Sequence, residues 1–240
     1  MGSADLEVAM RPLPRQTIAG AAVGAGIPVP DARPPGLESL DDQALLALLL
    51  ARSLPGQSVD TIAAALLDRF GGLGDVAAAG TAELGRISGM GSTPILDLKL
   101  LREFCVRLSR SAACERPVLS SWGALVAYCR TTLAHLPREQ FRTLYLDRRN
   151  ILLRDEHVAD GSVDHAPVYP REVVRRALEL SASALILVHN HPSGDPTPSQ
   201  ADIAVTRQVV DAARLFGLQV HDHIVVGREG TASFRTLGLI

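Results

Sequence analysis

His189 and His191 stand two residues apart at the end of the apolar run Ala184-Leu185-Ile186-Leu187-Val188, and Asp202 follows eleven residues after His191. If the run is a buried strand, side chains two apart leave it on the same face. A carboxylate in the first turn of a following helix can return to that face. Two imidazoles and one carboxylate are the donor set that suits zinc, and three protein ligands leave a fourth position open for water. That open position distinguishes a catalytic metal site from a structural one.

The intervening residues agree with this geometry. Pro192-Ser193-Gly194 is a turn signal, and Ser199-Gln200-Ala201-Asp202 has the S-x-x-D form of a helix start. Simpler readings stay open at this point: Ser199 and Asp202 as no more than an N-terminal cap with a first-turn acid, and the histidines as polar strand ends. His221, Asp222 and His223 open the last long apolar segment. They offer no evident third ligand for a second metal. Asp222 and His223 are instead expected to be partners that orient a ligand of the first site, or plain buried residues. His135, His157 and His165 stand alone and read as surface residues.

The elements that must hold these residues can be read from periodicity. Residues 1–36 are rich in Gly, Ala and Pro, with Pro28, Pro30, Pro34 and Pro35 opposing a helix, and read as a disordered extension. From 37 to 112 the pattern is helical. Ser39–Gln43 caps a helix through Leu50, and Ser58 caps another through Phe70. Short helices over 73–78 and 81–84 and a Gly89-Met90-Gly91 turn follow, then a helix from about Thr93 to Ser109. From 113 to 240 the period changes. A helix from Ser121 to His135 precedes strands at 141–147 and 151–159. Next come a helix opened by Pro170, the strand 185–191, a helix from Ser199 to about Phe216, and a strand over 219–226. The fold class is therefore α/β, a mixed sheet with helices, behind a small all-α domain.

The words HNHPSGDPTPSQAD, with PREVVRRALEL before and DHIVVG after, resemble the JAMM (MPN+) metalloprotease motif, and in detail the bacterial RadC family of MPN-domain proteins. The resemblance covers about residues 120–240 and extends more weakly to residue 37 through RPPGLESLDDQALLALLL. It implies a cytidine-deaminase-like MPN fold with a single zinc ion held by His189, His191 and Asp202. It also implies that Ser199 stabilises an oxyanion, and that a glutamate near the start of the first strand of the domain takes the water's proton. Glu139 fits that place. Glu156 on the second strand is its rival, and Glu172 reads as a surface acid at a helix start. The implied activity is hydrolysis of a peptide or isopeptide bond in a protein or peptide substrate.

Leu84–Gly91 resembles the hairpin of a helix-hairpin-helix module, whose glycines let backbone amides approach a phosphate. Gly89, Gly91, Lys99 and Arg102 are its candidate nucleic-acid contacts. The chain departs from that pattern at Ser92-Thr93-Pro94, where small or basic residues usually begin the second helix. Residues 40–112 carry seven basic and eight acidic side chains, so phosphate-driven binding would be weak and salt-sensitive. The alternative function is therefore a DNA-associated or protein-associated factor whose MPN domain is a metal-bearing scaffold. A nuclease suggested by the His-Asn-His tripeptide ranks below both.

Composition sets the outer bounds. The formal net charge of -2 predicts no general affinity for nucleic acid or an acidic membrane. No apolar run reaches the roughly 18 residues of a membrane span. The three cysteines form no C-x-x-C pair and suit a reducing cytoplasm. Arg11 and Arg15 before Thr17–Gly26 imitate a signal peptide only loosely, because that segment is Gly-rich and weakly apolar.

Overall fold

The computed structural model describes residues 36–114, 117–161 and 168–240. The expectation for residues 1–36 therefore falls, but for Gly36, outside the described residues, as does that for His165. The chain divides into a unit ending at Ser39 and a larger one from Leu40 to Ile240. In the first, Leu37–Ser39 is a single 3-10 turn closed by Ser39 onto the Gly36 carbonyl.

The larger unit begins with five helices: α1 (Asp42–Ala51), α2 (Val59–Phe70), α3 (Leu73–Ala78), α4 (Thr81–Leu84) and α5 (Ser92–Cys114). Asp41 caps α1 through the amide of Ala44 at 2.8 Å. Leu46, Leu50, Ile62, Leu66, Val76, Leu84 and Leu98 bury together as the core of this half. α5 continues past Ser109 to Cys114, since no glycine or proline interrupts it before Pro117. Its far end, through Val106 and Ala113, joins a second core formed with α6 (Trp122–Leu133) and the sheet.

The sheet has five strands in the order β2-β1-β3-β4-β5. They are β1 (Gln140–Leu146), β2 (Leu152–Asp160), β3 (Ala184–Asn190), β4 (Gln219–Val226) and β5 (Thr231–Ser233). β3 lies antiparallel to β1 and parallel to β4. Every residue of β3 is buried, as its continuous apolar run requires of a strand covered on both sides. Ala184, Ile186 and Val188 face α6. Leu185 and Leu187 face α7 (Pro170–Glu179) and α8 (Gln200–Leu215). The three layers are the α/β architecture expected. β5 was not foreseen: three residues carry no readable period, and it is anchored by the fully buried Phe234 beside it.

Two of the residues expected to contact nucleic acid, Lys99 and Arg102, are engaged within the fold. Lys99 Nζ donates to the carbonyl oxygens of Ala77, at 2.9 Å, and Ala79, at the C-terminal end of α3. Arg102 donates to the Thr132 carbonyl at 2.8 Å, in the last turn of α6. Both cations satisfy orphan carbonyls at the negative ends of helix dipoles. Gly89 has φ +89, and a Cβ there would lie 2.7 Å from Ile62 Cδ1, so packing against α2 accounts for it. Gly91 borders open space. His135 and His157 are not isolated either: His135 Nδ1 lies 3.2 Å from Asp75, and His157 Nε2 lies 2.9 Å from Asp160. Among the described residues, no helix is long and apolar enough to cross a membrane.

Removing the Lys99 ammonium leaves the end of α3 uncapped. Lys99→Ala should lower unfolding stability by about 1–2 kcal/mol, read from urea denaturation. An unchanged midpoint would show that the cap is dispensable.

Candidate metal centre

β3 delivers His189 to the face that carries Leu185 and Leu187, directly beneath the start of α8. His191 lies one residue beyond the strand, and its amide donates to the Val226 carbonyl at 2.9 Å, prolonging the pairing with β4. The turn that follows packs so closely on the β4–β5 connection that a Cβ on Gly227 would lie 2.0 Å from the Gly194 carbonyl oxygen. No residue larger than glycine fits there without moving backbone.

Asp202 occupies the first turn of α8 within a capping box. Its Oδ2 accepts from the amide and the hydroxyl of Ser199, both at 2.7 Å, while the Asp202 amide donates to Ser199 Oγ at 3.1 Å. The capping role weighed for Ser199 is thus present, and it places the hydroxyl beside the carboxylate that faces the histidines.

The three side chains meet. His189 Nε2 and His191 Nε2 are 3.0 Å apart, His189 Nε2 is 3.3 Å from Asp202 Oδ1, and His191 Nε2 is 3.4 Å from Asp202 Oδ2. Ligands about 2.0–2.1 Å from a tetrahedral zinc stand about 3.3 Å from one another. The observed separations are close to those edges. Among the described residues, this is the one group of three His, Cys, Asp or Glu side chains placed to share a metal ion.

The surrounding hydrogen bonds decide which nitrogens carry protons. The Thr206 hydroxyl lies 2.5 Å from the Asp202 carbonyl oxygen and 2.6 Å from His223 Nδ1. A carbonyl can only accept, so the hydroxyl proton goes to it and the hydroxyl oxygen accepts from His223 Nδ1–H. His223 is completely buried, and burial pushes its pKa well below the ordinary imidazole range. It is therefore neutral, and its Nε2 accepts from His189 Nδ1–H at 2.8 Å. His191 Nδ1–H donates to the Asp195 carbonyl at 2.9 Å. These protons are assigned from their partners. They leave lone pairs on both Nε2 atoms, pointing at one another and at a carboxylate.

Such a convergence needs a cation. In the metal-free protein a proton serves: the Asp202 carboxylate raises the pKa of His191 against the opposing effect of burial, with the Asp195 carbonyl and the Glu139 carboxylate adding to it. Burial would push the Asp202 carboxyl up, but the two imidazoles, when either Nε2 carries a proton, and the Ser199 hydroxyl outweigh it and hold the group far below the usual carboxylate range. The donor set, the spacing and the proton placement all fit zinc.

Glu139 immediately precedes β1. Phe141 pairs with His189, so the antiparallel register carried two residues further brings Glu139 level with His191. Its amide oxygen accepts from Gly161 at 2.8 Å, and a Cβ on Gly161 would lie 2.7 Å from Glu139 Cβ, so the glycine leaves room for this side chain. The rival Glu156 is held by Arg176 on α7 through contacts of 2.6–3.0 Å. Glu172 pairs with Arg175 at the surface, as read from the sequence.

Asp222 and His223 divide between the two readings weighed for them: His223 bonds His189, and Asp222 is a buried residue of the fold. His223 pairs with Leu187 and shares its face, whereas Asp222 pairs with Ile186 and faces the α6 side. There Asp222 accepts from Ser233 Oγ at 2.5 Å and the Arg235 amide at 3.0 Å, tying down the chain after β5. Strand alternation turns the two side chains to opposite faces, so Asp222 does not reach His189. His221 lies at an irregularity in the β3–β4 register and bonds Asn150 at 2.6 Å.

Two residues escaped the sequence reading. Asn190, fully buried between the histidines, accepts from the Gln140 amide at 2.9 Å and donates to the Arg138 carbonyl at 3.1 Å, clamping the loop that bears Glu139. Its signal was a polar residue on the opposite face of a buried strand. Thr206, also fully buried, had a weaker one: a hydroxyl four residues after Asp202 on the inward face of α8.

Residues 119–239 match the family model described as RadC-like JAB domain. A UPF0758 protein of Rhodobacter capsulatus is 57% identical over 205 residues, which cover 85% of this chain and 96% of the relative. A UPF0758 protein of Ruegeria pomeroyi is 51% identical over 205 residues, 85% of this chain and 92% of its own. The family match takes in every residue of the cluster and its supports, from Glu139 to His223, and on these two grounds the chain belongs to the RadC family.

Proposed function

We propose that this protein is a zinc-dependent hydrolase of peptide or isopeptide bonds. The observation that carries the reading is the convergence of three lone pairs on one small space, with a carboxylate, Glu139, level with it. His189, His191 and Asp202 would hold the metal. Zinc bound there supplies a water that ionises near neutral pH and a Lewis acid for a carbonyl. Glu139 accepts the water's proton and carries it to the leaving amine. The Ser199 hydroxyl, fixed at the cap of α8, would turn its one proton from Asp202 Oδ2 to the carbonyl oxygen as negative charge gathers there, while the Ser199 amide stays on the carboxylate. His223 and Thr206 hold His189 in the tautomer that leaves Nε2 free, and the Asp195 carbonyl does the same for His191. The DNA-associated alternative has less support, because Lys99 and Arg102 are occupied within the fold.

Protein purified without added metal should carry about one zinc per chain. Less than about half, with no uptake on titration, would overturn the metal reading. On a substrate found by screening peptide and isopeptide libraries, Glu139→Gln should keep its zinc and lose about 10²–10⁴-fold in turnover. Unchanged turnover would sink the assignment of the base.

Thr206→Val removes the acceptor for His223 while keeping shape. Zinc affinity by chelator competition should fall about 10–100-fold, and Thr206→Ser should retain it. Equal affinity in all three proteins would show that the proton chain has no influence.

The raised pKa of His191 adds a pH dependence with a definite sign. Because a proton occupies the place of the metal, zinc affinity should decline on acidification beginning above about 6.5, the unperturbed imidazole value. A decline that begins only well below that pH would contradict the shared proton.

A further inference from the structure

The turn from His191 to Asp195 sets the second imidazole of the cluster, and each of its backbone carbonyls has a donor. The His191 carbonyl accepts from the Gly194 amide at 3.0 Å, and the Gly194 carbonyl from the Glu229 amide at 3.2 Å. The Asp195 carbonyl accepts from His191 Nδ1 at 2.9 Å, which fixes that ring. The carbonyls of Pro192 and Ser193 both fall to one side chain. Arg228, between β4 and β5, brings Nη2 to 3.0 Å from the first and 3.4 Å from the second. Gly194 has φ +100, and a Cβ there would lie 3.4 Å from Arg228 Nε, so the arginine packs directly against the turn.

Arg228 is itself held from the helical half. Its Nη1 lies 3.3 Å from Asp75 Oδ1 on α3, 153 residues earlier in the chain. The Asp75 side chain is only 18% exposed, so this pair is screened less than one at the open surface. The same carboxylate oxygen meets His135 Nδ1, and a Cβ on the neighbouring Gly74 would overlap the His135 ring. Arg130 of α6 donates to the Arg228 carbonyl at 3.4 Å. A long, half-exposed arginine has many rotamers to lose, and the Asp75 carboxylate selects the one that reaches the turn.

We propose that Asp75 and Arg228 are positioning residues of the candidate metal centre: α3, through this ion pair, holds the turn that fixes the His191 ring. The holding of the turn is independent of any metal, and its effect on zinc rests on the function proposed above.

Amide exchange of the full, metal-free chain, followed by NMR, reads the turn directly at the buried Gly194. Arg228→Gln should speed exchange there at least about tenfold, and Asp75→Asn about two- to fivefold. The Leu187 amide, in the middle of β3, should change by less than about twofold in both. Asp75→Asn added to Arg228→Gln should change nothing further, because Asp75 acts through the arginine. Zinc affinity by chelator competition should fall about tenfold in Arg228→Gln and by less in Asp75→Asn. An unchanged Gly194 rate in either single variant, an equal rise at Leu187, or additive effects in the double variant would overturn the proposal, as would full zinc affinity in both. A wild-type chain that takes up no zinc would remove the metal reading alone, because the Gly194 rates still decide whether the pair holds the turn.

Discussion

Lone pairs do not share a small space without a cation between them. His189, His191 and Asp202 point three sets of lone pairs into one, and most of the structure around them prevents escape from that arrangement. Each histidine gives its Nδ1 proton to a fixed acceptor, so the ring cannot turn its Nε2 away without losing a buried hydrogen bond. The carboxylate is pinned by the cap of its own helix. The strain of holding these groups together is relieved by whichever cation enters, a proton or a metal. Such a preorganised donor set is the physical basis of strong and selective metal binding.

The central strand divides the remaining labour. On one face, His189 reaches α8 and the proton chain through His223 and Thr206. On the other, its neighbour Asn190 clamps the loop that carries Glu139. Two consecutive residues of β3 thus position the two sides of the candidate site, the His/Asp cluster and the loop of Glu139, because adjacent side chains leave a strand in opposite directions. The helical half enters through α5, which belongs to the cores of both halves and is capped to them by Lys99 and Arg102.

Those two cations show what a sequence cannot separate. Basic residues after a glycine hairpin look the same in sequence whether they await a phosphate or cap a helix. Only the positions of α3 and α6 distinguish the cases. Asp222 and His223 part for a related reason: adjacency along the chain became opposition across the sheet. β5, three residues long, was too short for any period to register.

The amino-acid sequence by itself determined the order of the elements, the buried strand, and the grouping of His189, His191 and Asp202 as a candidate donor set. Those features are local: strand and helix periods, and spacings within a single strand–turn–helix passage, are carried by residues close together in the chain. The sequence also pointed to Glu139, but through resemblance, since fifty residues separate it from the histidine motif. Tertiary structure alone decided that Glu139 lies near enough to act on the His191 imidazole, that Glu156 is spent on Arg176, and that Thr206 and His223 place the proton on His189. Each of these depends on strand register or helix packing between distant segments. That register is set by the collective burial of the sheet, which no short stretch of sequence contains.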